Sequence, residues 1–274
     1  FKVSLPVLLF KDIATTPIKD AFDPKFVIFC MVGTTIMFMG IWALTTIFMK
    51  DKSMVGAFTQ ASARGSAAVL GIAFVQNIYG NSGMTPLMIV SAVPLYNIYS
   101  VIILTFCANN QDHSDKSATI KRAFKNILTN PIILGIAGGM LLSVCHVPQV
   151  TIVSKTVHNL TSLATPLGLM AMGGSFEGEK AIGQIRPALG ATFLRLAGIA
   201  MIALPLAALS GLRNEQMVGA LVVAGSSSAV SCFIMAKNMG HEGTLTSSVV
   251  MLTTLGSAFT MTAWLYVLRS FGLV

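Results

Sequence analysis

The few residues able to do chemistry inside the apolar stretches of this chain are mostly of one kind. Arg64, Arg195, Lys155 and Lys237 stand within bilayer-length segments, His158 follows Lys155 by one helical turn, and Lys11 and Asp12 lie side by side near the start. Apart from Asp12, no acid lies well inside such a segment: Asp51, Asp112, Asp115, Glu177, Glu179, Glu215 and Glu242 fall at ends or in connections. An ionisable side chain within a membrane is expensive and is a functional candidate by default. A buried cation site needs carboxylates at depth. Deep charge that is basic suits an anion, held by a guanidinium, by hydroxyl donors and by helix N-termini.

Two stretches could supply those hydroxyls and helix ends. One is AGSSSAVSCFIMAKNMG, residues 224–240, in which Gly225, Ser226, Ser227 and Ser228 interrupt an apolar run. The other is RGSAAVLGIAFVQNIYG, residues 64–80, with Gly65 and Ser66 at its head. Glycine loosens a helix, and serine hydroxyls can satisfy the backbone groups that a break sets free. Small residues also serve simply to let membrane helices pack closely. The match between the two stretches favours breaks here, whereas the GIAGGM run at 135–140 reads as packing.

The elements that must position these residues follow from composition. Of 274 residues, 54% are hydrophobic and 10% charged, and the mean hydropathy is +0.77. A soluble domain carries about 25% charged residues, so this chain cannot cover a water-facing surface and reads as an all-α polytopic membrane protein. Nine apolar segments of roughly bilayer length are visible, at 1–16 (short), 26–49, 55–79, 84–107, 131–147, 150–176, 187–210, 217–239 and 245–271. The net charge of +8 comes from Lys and Arg scattered in connections, which argues against a nucleic-acid partner. The four cysteines form no CxxC pattern, and no metal motif such as HExxH occurs. No nucleophile–base spacing is present either, so neither an enzyme nor a cofactor is expected. By the positive-inside rule, Lys50, Lys52, Lys116, Lys121, Arg122, Lys125, Lys180 and Arg186 put the 108–130 connection in the cytoplasm and the C-terminus outside.

The two stretches are offset by 160 residues, as Gly65 and Gly225, Ser66 and Ser226, and Gly80 and Gly240 show; Pro6 and Pro166 share the offset. Several matches at one offset suggest an internal duplication. The first four segments then match the last four, and the segment at 131–147 lacks a partner, whose place would lie before Phe1. The expected plan is two inverted five-helix repeats with crossed broken helices, the first helix of repeat one being absent from this sequence. The repeats would span 1–107 and 131–274. Paired interrupted helices near the midplane mark the substrate site of secondary transporters built this way.

The motifs LP-x-LLF at 5–10, ARGS at 63–66, VPLYN at 93–97, NPIILGIAGGML at 130–141, TPLGLMAMGG at 165–174 and AGSSSAVS at 224–231 occur in order along the whole chain. Together they resemble the auxin efflux carrier family, which includes bacterial malate and malonate carriers. The resemblance implies ten helices in two inverted repeats with crossed, broken fourth and ninth helices, and a homodimer formed through scaffold helices. Members often carry proline at each break, where Ala73 and Ser226–Ser228 stand here, and many have Asn where Ser66 stands.

The candidate substrate-binding residues are therefore Arg64, Gly65, Ser66, Asn77, Asn97, Arg195, Gly225, Ser226, Ser227 and Ser228. Arg64 is the first choice for charge complementarity; its alternative is to snorkel with its head in water. Arg195 sits deeper along its segment, or faces a cytoplasmic vestibule. Asn77 and Asn97 could touch substrate or bond between helices. Lys237, Lys155 and His158 read as near-surface residues. Asp12 is a proton carrier or an ion-pair partner of Lys11, and His158 is the other coupling candidate, since histidine titrates near neutral pH. The expected function is secondary transport of small organic anions by alternating access in the bacterial inner membrane, among lipid, coupled to protons or membrane potential. The rivals are a sodium-coupled carrier of the bile-acid type and a passive channel or sensor.

Overall fold

The computed structural model describes residues 6–7, 10–11, 23–80, 83–107, 129, 131–145 and 151–274. Helix α1 (Pro24–Phe48) starts where Asp23 can cap it: the carboxylate accepts from the N–H groups of Lys25 at 3.0 Å and Phe26 at 3.1 Å. Pro24 takes the first helical position, where its missing N–H costs nothing. After a short turn capped by Asp51 come α2 (Val55–Ala63) and α3 (Ala67–Tyr79). Gly80 ends α3 with φ 74°, a left-handed conformation that glycine adopts without penalty. Helices α4 (Thr85–Phe106) and α5 (Pro131–Cys145) follow.

Next come α6 (Thr151–Ser162), α7 (Ala164–Gly174) and the short α8 (Gly178–Gly183). Helix α9 (Ile185–Phe193) runs through a π turn at Leu194–Gly198 into α10 (Ile199–Leu209). Helices α11 (Glu215–Gly225), α12 (Ser231–Asn238) and α13 (Thr244–Ser270) complete the chain. Among the described residues the rest of the regular structure is one isolated antiparallel bridge, Gly65 to Ser228.

Among the described residues, four continuous helices are long and apolar enough to cross a bilayer: Pro24–Phe48, Thr85–Phe106, Ile185–Leu209 and Thr244–Ser270. Their outer faces present Ile36, Ile47, Ile202, Leu209, Leu255 and Phe259, all exposed. Such faces are stable against lipid tails, not water, and the protein is a multi-pass membrane protein. Polar contacts between connections gather at two ends. At one, Gln184 donates to Glu242 at 3.3 Å and the His241 ring meets the Leu104 carbonyl at 3.1 Å. At the other, Gln216 donates to Asp23 and the Asn214 N–H donates to Leu273 O at 2.8 Å.

Several sequence expectations change in detail. The segment at 150–176 is two helices, parted at Leu163; Pro166 lies in the first turn of α7, where a missing N–H is tolerated. The segments at 55–79 and 217–239 are each broken, at 64–66 and 226–230. Ala73 lies inside α3, past the break rather than at it. Gly225 is the last residue of α11, against Leu221, Ala200 and Met261, and not part of the break. The ends of α2 and α11, Ala63 and Gly225, are thus 162 residues apart, whereas the left-handed glycines Gly80 and Gly240 keep the offset of 160.

Candidate functional site

The two breaks lie against each other. Gly65 bridges Ser228, and the Ser66 N–H donates to Ser227 O at 2.8 Å. The chain leaves α2 at Arg64 in an extended conformation (φ −87°, ψ 108°), and leaves α11 at Ser226 in another (φ −67°, ψ 160°). Two short extended pieces can exchange backbone bonds as strands do, which accounts for groups that the interrupted helices would otherwise leave unpaired within the membrane. The Ser228 N–H donates to Thr253 Oγ1 at 3.0 Å, and the Ser228 hydroxyl donates to Ala61 O at 2.5 Å.

Arg195 reaches this crossing from the π turn and is fully buried. Its Nε donates to Ser226 O at 2.7 Å, Nη1 to Ala63 O at 2.9 Å, and Nη2 to Val223 O at 2.8 Å and Ser226 Oγ at 3.1 Å. Met37 Sδ, 3.9 Å from Nη1, takes the fifth donor. A guanidinium has five N–H donors, so Arg195 has none left for a guest. Its charge rests on the carbonyl ends of α2 and α11, where a helix carries partial negative charge. Gly65 is required here by close approach, since an added Cβ would overlap Arg195 Nη2 and lie 2.6 Å from Ser226 Oγ.

Arg64 is different. It is 3% exposed, so it does not snorkel. Nη2 donates to Asn97 Oδ1 at 2.6 Å, and Nη1 points to Met235 Sδ. Asn97, fully buried, is itself held by donating to Val93 O at 2.8 Å. Arg64 has no carboxylate partner among the described residues and keeps N–H donors unused there. It stands just ahead of α3, whose first-turn N–H groups have no acceptor within the helix. The hydroxyls of Ser66 and Ser227 make no hydrogen bond among the described residues, in contrast to those of Ser226 and Ser228. The crossing therefore joins a buried cation, two hydroxyls and a helix N-terminus: donors for a carboxylate.

Not every candidate comes to this place. Asn77 is exposed and turns back to Ala73 O at 2.8 Å, eleven residues and roughly 16 Å of helix beyond Ser66. Lys237 and Lys155 are exposed. His158 falls in α6, its side chain outside the described set, and Asp12 lies outside the described residues. Sequence reasoning missed Gln60, fully buried four residues before Arg64, which donates to Cys232 O at 2.7 Å. It missed Thr253 and Tyr96 as well, whose partners are Ser228 N and Val223 O. A lone glutamine in an apolar run, one turn from an arginine, was the available signal.

The chain matches a family model described as "Membrane transport protein" over residues 1–265. A protein of Rhizobium meliloti (strain 1021) named "Putative malonate transporter" is 22% identical over 277 aligned residues, covering 98% of this chain and 84% of that relative. With the ordered motifs, the apolar helices and the match over nearly its full length, this chain belongs to the membrane transport protein family, the auxin efflux carrier-like transporters.

Proposed function

We propose that the protein is a secondary transporter of small organic anions, mono- or dicarboxylates such as malonate or malate, with Arg64 as the counter-charge of the carboxylate. The observation that carries this reading is a buried guanidinium at a helix break, with spare donors and no acid beside it among the described residues. Burying a charge without a partner is costly, and an anionic guest removes that cost. Arg195 is assigned a positioning role, since its donors are spent on the crossing. The malonate in the relative's name fits the same chemistry.

In this reading the halves 1–107 and 131–274 are oppositely oriented repeats that alternate access around the crossing, joined by a cytoplasmic 108–130 connection, with the C-terminus outside the bacterial inner membrane. The left-handed Gly80 and Gly240 at matching places support the correspondence. A carried anion moves charge, so the membrane potential couples at about 2.3 kcal/mol per charge per 100 mV.

The test is counterflow of labelled malonate into proteoliposomes, with thermal-shift measurements on the purified protein. A ligand at a hundredfold its Kd should stabilise the wild type by about 2.7 kcal/mol. Arg64→Met should abolish exchange and the ligand-induced shift, while its ligand-free melting temperature holds or rises. Wild-type protein that exchanges no carboxylate, or Arg64→Met that exchanges at the wild-type rate, sinks the reading.

A further inference from the structure

Gln60 has one half of its amide in use. Its Nε2 donates to Cys232 O at 2.7 Å, while its Oε1 is buried with no hydrogen-bond partner among the described residues. A buried polar atom without a partner is uncommon in folded proteins. Serine hydroxyls can turn to donate or accept, but an amide oxygen can only accept. With the nitrogen fixed on Cys232 O, what Oε1 lacks is a donor.

The position of that oxygen gives it meaning. Gln60, on α2, precedes Arg64, the residue that caps the end of α2, by four positions, a spacing that makes side chains neighbours at a helix end. Both reach α12, Gln60 at Cys232 and Arg64 at Met235, which are themselves one turn apart. Helices α2 and α4 pack antiparallel, as the contacts of Gly56 with Cys107 and of Arg64 with Asn97 show. Between those two contacts lie Gln60 on α2 and, on α4, Ser100, whose buried Oγ also has no hydrogen-bond partner among the described residues. The polar wall thus continues one turn beyond Arg64, and what it adds is an acceptor.

We propose that Gln60 is a specificity-determining residue of this site: its free side-chain oxygen accepts a hydrogen bond from a donor on the carboxylate guest, either a hydroxyl or a protonated second carboxyl group. The proposal rests on the reading of Arg64 as the carboxylate's counter-charge. Arg64 takes the ionised carboxylate, and Gln60 reads the group one turn away. A fully ionised guest without a hydroxyl leaves Oε1 unpaired. A site built to bond a substrate group discriminates against the analogue lacking it far more strongly than an apolar pocket does.

The experiment compares malate with succinate, its analogue without the hydroxyl, by affinity for the purified full chain at about pH 8 and about pH 5, on either side of the point where part of the second carboxyl is protonated. Gln60→Met removes the acceptor at similar volume, and Gln60→Asn withdraws it by one methylene, so a folded variant is available if one of them fails. A wild-type preference for malate of about tenfold or more at the higher pH, lost in the variant while succinate binding persists, supports the hydroxyl. Succinate that tightens at the lower pH in wild type but not in the variant supports the protonated carboxyl. Equal binding of both acids at the higher pH with no tightening at the lower overturns the inference and leaves the transport reading standing, as does a discrimination that survives in the variants. Wild-type protein that binds neither acid, nor any other carboxylate, overturns both.

Discussion

The Nη2 atom of Arg195 occupies the volume that a Cβ on Gly65 would need. The two residues come from different helical segments and are 130 positions apart in the chain. The arginine cannot simply swing aside, because its other donors are held by Ala63 O and Ser226 O. Gly65→Ala should therefore cost about 1–3 kcal/mol of stability through overpacking, read as a lower unfolding temperature in detergent.

Arg195 itself offers a graded test. Arg195→Met leaves the carbonyls of Ala63, Val223 and Ser226 without this donor inside the membrane. The expected loss is about 3 kcal/mol or more, since each buried acceptor left without a partner costs about 1–3 kcal/mol. Arg195→Lys should recover only part, since an ammonium offers three donors from one point where a planar fork had five. Unfolding temperatures should rank wild type, then lysine, then methionine.

The serines should divide into two classes. Ser228→Ala removes the donor to Ala61 O, and Thr253→Val leaves the Ser228 N–H buried without its acceptor. Each should cost about 1–3 kcal/mol and act mainly on stability. Ser66→Ala and Ser227→Ala break no hydrogen bond of the described residues, so melting should stay within about 0.5 kcal/mol of wild type while carboxylate affinity falls. Equal thermal losses for all four variants would contradict this division.

One pH effect lies outside the membrane. Glu177 forms an exposed ion pair with Lys180 at 2.9 Å, and this hydrogen bond raises the lysine pKa above its ordinary value. A raised folded-state pKa contributes stability that is complete below the ordinary lysine value and lost as pH climbs through the folded one. Exposed pairs are worth little and are screened by salt. Glu177→Gln should lower the melting temperature only slightly at neutral pH, with no difference from wild type in high salt or at strongly alkaline pH.

The breaks were legible because glycine and serine runs are poor helix formers wherever they fall, and 64–66 and 226–230 are where α2 and α11 give way. Arg64 was legible as a cation at a break. The role of Arg195 was not, because its partners are mostly main-chain carbonyls, which carry no signature in residue types. The contacts at the crossing were hidden too: the offset of 160 put Gly65 in step with Gly225, yet the backbone pairs it with Ser228. Asn77 looked equivalent to Asn97 by type, but only Asn97 faces inward. Gln60 passed as one polar residue among small ones because its burial depends on the packing of α12.

The five bonds of Arg195 have a mechanical consequence. Four of them tie the tail ends of α2 and α11 to the helix formed by α9 and α10, at a single atom group, and the fifth reaches Met37 on α1. A knot of this kind behaves as one solid part: parting the crossed strands would strand several carbonyls in hydrocarbon at once. A carrier built on it would not open its cross like scissors. On the proposed transport reading, the cross would shift whole, like a turnstile carried past a fixed frame.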